Sequence, residues 1–375
     1  MVFRLFLSLL AISLLVSCGS KPVNIIGVDN PEFPAASVPG AETEVVYVAT
    51  SRAMVSDPTV LYGSGRVLSG LNYFRVEVSI PPSHQSGYIE RAKSVPPDPR
   101  SDFTILDPVI YPDESSFTKA VDRQLAEQPS GDRDIMLFVH GFNTDLVLAI
   151  LRAAQLKRDS GFTGIPVVFA WPSLGKVTGY IYDTNSALQS RDWLIETADN
   201  LSNTRTEGMN IIAHSMGNLL TVEAMRQDQL LKDFNSSNKL KSIILAAPDI
   251  DIDLFKRQMS VFPKDQRHFY VLISEDDKAL GLSRRLAGGV NRVGIDSVED
   301  LAELGVTVID LTNIQDTSST DHSKFANSPE VVQLIGKHLN EGDSITNKPS
   351  TVSSGVSAAA EVVTGAGGGL IATFN

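Results

Sequence analysis

The feature that most constrains this chain is the regular alternation of short apolar runs with helical patterns. Runs rich in Val, Ile, Phe and Tyr occupy 44–50, 73–80, 135–140, 166–171, 209–214, 242–247, 268–274 and 305–311. From the third run onward they are short, continuous and apolar, which is typical of strands buried on both faces of a parallel sheet.

Helical patterns, with apolar residues spaced at intervals of three and four, separate most of these runs. The predicted helices cover 115–126, 146–158, 185–201, 218–231 and 329–339. This repetition predicts a single doubly wound α/β domain with a mostly parallel sheet of about eight strands. The first two runs are joined without a helix, and we expect them to form an antiparallel edge of the sheet.

The composition of the two chain ends differs from that of this domain, which is predicted to span 44–340. Residues 18–43 are rich in proline and are predicted to form an extended linker. Residues 341–375 are rich in Ser, Thr, Gly and Ala, which predicts a flexible low-complexity tail. The last six residues, "LIATFN", are apolar enough to dock at a place that the sequence does not identify.

The N-terminus has the pattern of an export signal. A single charge, Arg4, precedes an apolar run at 5–16, which is shorter than the ~20 residues that a membrane-spanning helix needs. The stretch "LVSC" at 15–18 resembles the lipobox of bacterial lipoproteins. The resemblance implies that residues 1–17 are removed and that a lipid on Cys18 anchors the protein to a membrane.

An ordinary secretory signal or a short membrane anchor is the alternative, but each leaves the chain's only cysteine at the lipobox position as a coincidence. No aspartate follows Cys18, which by resemblance to enterobacterial sorting favours the outer membrane, facing the periplasm. We therefore expect a lipid-anchored protein of the bacterial cell envelope.

Charge and cysteine content exclude several classes of function. The formal net charge is −12 and no run of Lys and Arg is present, which argues against a nucleic-acid partner. One cysteine rules out an intrachain disulfide and a Cys-based zinc site. The histidines are scattered, and no phosphate-cradling glycine loop follows a strand, so neither a metal nor a cofactor is implied. The oligomeric state is left open.

Residues with catalytic chemistry follow the predicted strands at their carboxyl ends, where sheets of this kind bind ligands. These residues are His140 to Asn143, Trp171 to Ser173, Ser215, Asp249, Asp251, Asp276, Asp277 and His322.

Ser215 lies in "IIAHSMGNLL", between a predicted strand and a predicted helix. A sharp strand-to-helix turn exposes a serine hydroxyl and needs small residues two before and two after the serine. Ala213 and Gly217 meet that need, although the usual G-x-S-x-G signature has glycine at both positions. The alternative is that Ser215 is only the N-cap of the following helix.

A serine nucleophile needs a histidine base that a carboxylate orients, and in this fold the three occur in the order serine, acid, histidine. Ser215, Asp277 and His322 occur in that order. The acid is the least certain member, because Asp276 is adjacent to Asp277 and Asp251 follows the preceding strand. His84, His268 and His338 fit the base less well, because none lies in the loop after the last strand.

The same loops supply candidates for binding the substrate. The backbone N–H groups of Phe142 and Met216 are predicted to stabilise a developing oxyanion. Trp171, Tyr180 and Tyr182 are predicted to form a modest apolar pocket. Residues 248–267, which separate the sixth and seventh strands, have room for about one short helix that could line one wall.

Six ordered motifs carry a specific resemblance: "LFVHGFN", "AWPS", "IIAHSMGN", "AAPDIDID", "SEDDKAL" and "DHSKFANSP". Over roughly 44–340 the chain resembles a family of bacterial α/β-hydrolase-fold proteins, described as esterase- or lipase-like with unassigned substrates. The resemblance implies Ser215 as nucleophile and His322 as base. It also favours Asp277, which is followed by Lys-Ala-Leu as in the family's usual acid loop.

We therefore expect a membrane-anchored serine hydrolase, a carboxylesterase acting on small-molecule esters. The short 248–267 segment leaves no room for a lipase-type lid, so we expect short or medium acyl chains to be preferred. The alternative is a catalytically inactive hydrolase-fold lipoprotein that serves as an envelope scaffold or binding module. Peptidase or thioesterase activity is a narrower option on the same machinery.

Overall fold

The computed structural model of the protein describes residues 22–232, 234–316, 320–342, 360–364 and 370–374, the last two as backbone. The predictions for the leader at 1–17 and for lipidation of Cys18 concern residues outside these ranges.

The described strands and helices follow one another along the chain as the alternation predicts. The strands are β1 (Glu42–Thr50), β2 (Arg52–Met54), β3 (Tyr62–Arg66), β4 (Asn72–Ile80), β5 (Thr104–Tyr111), β6 (Asp134–Val139), β7 (Ile165–Ala170), β8 (Gly208–His214), β9 (Leu240–Ala246), β10 (Phe269–Ile273), β11 (Thr307–Asp310), β12 (Ala360–Thr364) and β13 (Leu370–Phe374). The helices are α1 (Glu114–Glu127), α2 (Leu146–Ser160), α3 (Tyr180–Gln189), α4 (Arg191–Ser202), α5 (Met216–Leu231), α6 (Ile252–Met259), α7 (Lys278–Leu286), α8 (Val298–Glu303), α9 (Lys324–Asn327) and α10 (Pro329–Glu341).

One large sheet contains all eight predicted strands. Its order is β12-β13-β11-β10-β9-β8-β6-β7-β1-β4-β5, which makes eleven strands in the described residues rather than about eight. The strands from β1 through β7, β6, β8, β9, β10 and β11 to β13 pair in parallel. The mostly parallel α/β architecture predicted from the sequence is therefore confirmed.

The antiparallel edge contains one strand more than predicted. β1 pairs antiparallel with β4, and β4 pairs antiparallel with β5, which is the outer strand. β5 carries Pro108, and its pairing with β4 shifts register between Arg75 and Glu77. Proline is tolerated in an edge strand because its missing N–H need not join the ladder. An interrupted, half-exposed strand of this kind has no clear apolar run, which is why the sequence pattern missed it.

The core lies on both faces of the sheet because side chains alternate along each buried strand. On β6, Leu137 belongs to the apolar cluster beneath α1, α4 and α5, whereas Phe138 belongs to the cluster beneath α2 and α10. The predicted helix at 185–201 is two helices, α3 and α4, with Ser190 between them. Within the described residues, no helix combines the length and the apolar character needed to cross a bilayer.

The chain ends contact the domain more closely than the sequence analysis anticipated. The described part of the predicted linker is irregular, but Val23 and Ile26 donate backbone hydrogen bonds to Ala92 and Thr59, and Ile26 is buried. At the other end, β13, which covers most of "LIATFN", pairs in parallel with β11, and β12 pairs with β13. Part of the predicted tail therefore extends the sheet.

Candidate active site

Ser215 lies in the sharp turn between β8 and α5. Its backbone has φ 53° and ψ −122°, a conformation that a residue with a side chain rarely adopts and that surrounding contacts must hold. The Ser215 N–H donates to Ala246 O at 3.0 Å, and the Asn218 side chain donates to the carbonyls of Ser215 and Ala246, each at 2.9 Å. The Ser215 hydroxyl makes no capping bond to α5, so the alternative role as an N-cap finds no support in the geometry.

Glycines allow the backbone segments around this turn to approach closely. A Cβ at Gly217 would collide with the carbonyl oxygen of His140 and lie 2.8 Å from that of Val139. A Cβ at Gly141 would lie 2.8 Å from the Ser215 Cβ. The start of α5 therefore packs directly against the end of β6, and the loop after β6 packs directly against Ser215.

The His322 ring is hydrogen-bonded to one carboxylate. Its Nδ1 lies 2.6 Å from Oδ2 of Asp277, whose side chain is fully buried. The other oxygen of Asp277 accepts the Leu280 N–H at 2.9 Å and so caps α7. Because a carboxylate only accepts hydrogen bonds, Nδ1 is the ring's donor and a neutral ring keeps an acceptor at Nε2. Within the described part of the chain, Nε2 of His322 has no hydrogen-bond partner.

The other two candidate acids have different partners. Asp276 accepts from the Lys324 ammonium at 2.7 and 2.9 Å. Asp251 caps α6 by accepting the N–H groups of Asp253 and Leu254. Of the three aspartates left open by the sequence, only Asp277 contacts His322.

The remaining histidines are placed away from the base position. His84 lies between Glu90 and Asp159 at 2.9 and 2.8 Å. Neither His268 nor His338 lines the cavity that contains Ser215 and His322. His322 is thus the histidine that the fold brings to the same cavity as the candidate nucleophile.

That cavity has a volume of about 370 Å³. Ser215, His322 and Phe142 lie in its wall together with apolar side chains of α7 and of the segment before α3. The α7 residues are Ala279, Leu280, Leu282 and Leu286, and those near α3 are Val177 and Tyr180. An apolar cavity with a few polar groups is the usual form of a small-molecule site.

Of the three residues predicted for the pocket, Tyr180 lines this cavity, whereas Trp171 and Tyr182 lie elsewhere. Trp171 is fully buried and stacks on His140 at 4.8 Å, while its indole N–H donates to the His140 carbonyl at 2.7 Å. The Tyr182 hydroxyl donates to Ser64 O, outside the cavity. The predicted wall at 248–267 contributes only Asp249, because α7 occupies that side instead.

Two backbone donors are available beside Ser215. Among the described residues, neither the N–H of Phe142 nor that of Met216 donates to another group. Met216 follows Ser215 directly, and Phe142 follows Gly141, which is packed on the Ser215 side chain. The arrangement leaves both groups available to bind an oxyanion.

The loop that carries Phe142 is held by Asp183, a residue that the sequence analysis did not single out. The fully buried Asp183 accepts from Ser173 Oγ, from the Leu174 N–H at 2.8 Å and from the Asn143 N–H at 3.3 Å. Arg52 is also buried there and donates to the Thr144 carbonyl at 2.9 Å. Burial lowers the pKa of Arg52 to about 10, although nearby aspartates, Asp183 among them, oppose that shift. Asp183 lies within α3, and no sequence pattern indicates which residues its side chain contacts.

Two further histidines, the buried His140 and the half-buried His214, support the site in their neutral form. Burial, with the charge of Arg52, lowers the pKa of His140 to about 3. Burial and then the neighbouring His322 lower the pKa of His214 well below its usual value. The His214 Nε2 lies 3.1 Å from the His322 carbonyl oxygen. A neutral His214 donates there, so it positions the loop of His322 rather than acting as a second base.

The comparisons with known proteins agree with this architecture. Residues 113–338, more than half of the chain, match the family described as "Alpha/beta hydrolase of unknown function (DUF900)". The chain belongs to this family. The matched region contains Ser215, Asp277, His322 and the loop of Phe142. No curated protein matches the α/β hydrolase chain.

Solved structures with a distant likeness to this α/β hydrolase are described as esterases and lipases. The Pyrobaculum calidifontis esterase is 11% identical, with 81% of this chain and 86% of that chain covered and a TM-score of 0.35. Carboxyl esterase 2 of Tuber melanosporum is 14% identical, with 60% of this chain and 97% of that chain covered and a TM-score of 0.37. Aspergillus fumigatus lipase B is 15% identical, but the match covers 32% of this chain and 25% of that chain, with a TM-score of 0.23. Likeness at this level carries no argument about activity.

Proposed function

We propose that this α/β hydrolase is a serine hydrolase that cleaves small carboxylic esters through an acyl-enzyme. One observation carries the proposal: the cavity that contains the strained Ser215 also contains His322, which is hydrogen-bonded to the buried Asp277. A hydroxyl, a base with a free nitrogen and an orienting carboxylate are the parts that nucleophilic acyl transfer needs.

In the proposed reaction, Nε2 of His322 takes the proton of the Ser215 hydroxyl as the oxygen attacks the ester carbonyl carbon. The carbonyl oxygen becomes an anion, and the N–H groups of Phe142 and Met216 donate to it, at a typical worth of ~3 kcal/mol per donor. The intermediate collapses, the carbon–oxygen bond to the alcohol breaks, and His322 returns its proton to the leaving alcohol. Water then hydrolyses the acyl-serine by the same steps.

Throughout this cycle Asp277 stays ionised. It holds the Nδ1–H tautomer of His322 and stabilises the imidazolium that forms after proton transfer. The neutral His214 helps because a second positive charge beside that imidazolium would oppose its formation.

The size of the cavity supports short or medium acyl groups. Its volume of about 370 Å³ lies near the lower end of the ~300–1,000 Å³ range of small-molecule sites. Each buried methylene contributes ~0.8 kcal/mol until the cavity is full. In a series of p-nitrophenyl esters, kcat/KM should therefore rise with acyl length and then level or fall. A rise that continues to palmitate would contradict the proposed preference.

We also propose that a lipid on Cys18 holds the enzyme at the bacterial envelope, on the outer membrane facing the periplasm. This part of the proposal depends on the lipobox-like sequence and on the position of the chain's only cysteine.

Labelling with a fluorophosphonate probe tests the central claim, because such probes react with activated serines. Wild-type protein should be labelled, and Ser215→Ala should not. Ser283→Ala is a matched control, since Ser283 lines the same cavity and its loss should leave labelling intact. Wild-type protein that resists labelling, or Ser215→Ala that is labelled equally, would contradict the proposal.

A further inference from the structure

Large aliphatic side chains are exposed around the mouth of the catalytic cavity. Val177, Leu282 and Leu286 line the cavity with 69%, 51% and 67% of their surface exposed, and Ile181, one helical turn after Val177, is 72% exposed. Isolated surface leucines are common, but contiguous apolar side chains around a concave site mark an interaction surface. We call these four residues the rim.

Basic side chains lie beside the rim in a protein whose net charge is −12. Of the four Lys and Arg residues in 278–295, Lys278 pairs with Asp321 and the buried Arg292 pairs with Asp249, which leaves Arg284 and Arg285. Lys176 adjoins Val177 on the other side of the mouth. Within the described ion pairs, Lys176, Arg284 and Arg285 do not take part. The cavity mouth is therefore basic and apolar on an otherwise acidic protein.

The geometry of α7 places the two kinds of side chain on one face. Leu282 is exposed, as are Arg285 and Leu286, three and four positions later, whereas Leu280 and Ser283 are buried on the opposite face. A helix that presents aliphatic and basic side chains to solvent together is typical of a segment that lies on anionic lipid headgroups.

The N-terminal end of the described chain lies near the segment before α3. Asn24 and Leu174 line one small cavity, and Leu174 contacts Gly179, directly before Tyr180 of the catalytic cavity. The seven residues from Cys18 to Asn24 span at most ~25 Å when extended. An anchor at Cys18 is therefore compatible with a rim that faces the same membrane.

From these observations we propose that the rim docks on a bilayer that contains anionic lipid headgroups. The aliphatic side chains enter the headgroup layer, and Lys176 and Arg285 pair with the headgroups. Ester substrates then reach Ser215 from the lipid surface. The docking itself needs no catalysis, so it stands or falls independently of the proposed function.

The test places a fluorescent reporter on the rim of the full chain. Ile181→Trp should show a blue shift of the tryptophan emission with vesicles of phosphatidylcholine and phosphatidylglycerol in equal parts, and little shift with phosphatidylcholine alone. The matched control is Leu231→Trp, equally exposed at 71% but at the far end of α5, about 24 Å from Ser215. It should show no shift, even where the N-terminal leader holds the protein on the vesicle.

Charge reversal then separates docking of the rim from attachment by the leader. Adding Arg285→Glu to Ile181→Trp should reduce the apparent affinity measured by the shift roughly tenfold, whereas adding Lys232→Glu, at the far end of α5, should not. Arg285 does not line the cavity, so hydrolysis of dissolved p-nitrophenyl butyrate should be unchanged. The proposal is overturned if the emission of Ile181→Trp does not shift with anionic vesicles, or if it shifts no more than that of Leu231→Trp.

Discussion

Replacing Asp277 with Asn should separate the catalytic role of this residue from its structural role. Asp277 accepts two hydrogen bonds, one from His322 Nδ1 at 2.6 Å and one from the Leu280 N–H at 2.9 Å. Asparagine has a single side-chain acceptor oxygen and a two-proton donor. If that oxygen continues to cap α7, the NH2 group faces Nδ1, and the imidazole must carry its proton on Nε2. That tautomer cannot accept the proton of Ser215.

The expected losses of kcat and of stability follow from the two roles of Asp277, which orients His322 and caps α7. Loss of the orienting charge and tautomer in a Ser-His-Asp triad lowers kcat by about 10⁴-fold, which corresponds to about 5 kcal/mol. Asn is as good an N-cap as Asp, so stability should change by less than about 1 kcal/mol. Asp277→Ala removes the cap as well and should cost about 1 kcal/mol of stability in addition to the activity.

The assay measures kcat on p-nitrophenyl butyrate together with the free energy of unfolding in urea. Asp276→Asn is the control next in sequence. It should leave kcat within a few-fold, but it should cost about 1–2 kcal/mol of stability, because the buried Lys324 ammonium loses a charged hydrogen-bond partner that is itself 43% exposed. The reasoning is refuted if Asp276→Asn lowers kcat more than Asp277→Asn, or if Asp277→Asn retains kcat within tenfold.

Three further predictions address stability, packing and anchoring. Burial alone would lower the pKa of His84, but its hydrogen bonds to Asp159 and Glu90 outweigh this and raise the pKa from 6.5 to about 9. The resulting stabilisation of about 3 kcal/mol is fully present below pH 6.5 and is lost as the pH rises through 9. The free energy of unfolding, measured in urea across this pH range, should change less with pH in His84→Gln than in the wild type. An equally steep loss of stability in that variant would contradict the assignment. Gly217→Ala should lower stability by at least ~2 kcal/mol and abolish fluorophosphonate labelling, since its Cβ meets the carbonyls of β6 and the following loop; normal labelling would show that the turn tolerates the methyl group. Cys18→Ala expressed in a bacterial host should appear in the soluble fraction or remain unprocessed, and a variant of mature size in the membrane would exclude lipidation.

The alternation of strands and helices was accessible from the sequence because it depends on local spacing. Buried parallel strands must be apolar throughout, and flanking helices must place apolar residues every three or four positions, so both leave a pattern in the chain. Strands that lack such a pattern, including β5 and the short pair β2 and β3, were missed. The sequence of "LIATFN" indicated docking, but only the parallel pairing of β13 with β11 gives its place.

The turn at Ser215 was equally accessible, since the need for small residues at 213 and 217 follows from the turn itself. The sequence pattern alone did not identify the acid that contacts the histidine. Asp276 and Asp277 are adjacent and chemically equivalent, and what distinguishes them is the direction that each side chain takes where α7 begins. Asp277 points to a histidine 45 positions away along the chain, while Asp276 points to Lys324.

The sequence alone therefore determined the layered α/β fold and the positions where catalytic residue types follow strands, because both depend on short-range periodicity and on the geometry of a single turn. Only the tertiary structure decided which of these side chains meet. It placed Trp171 in the core, replaced the expected 248–267 wall with α7, and used Asp183 to hold the loop of Phe142. These outcomes depend on contacts between segments far apart in the chain, and such contacts leave no periodic signal in any one of them.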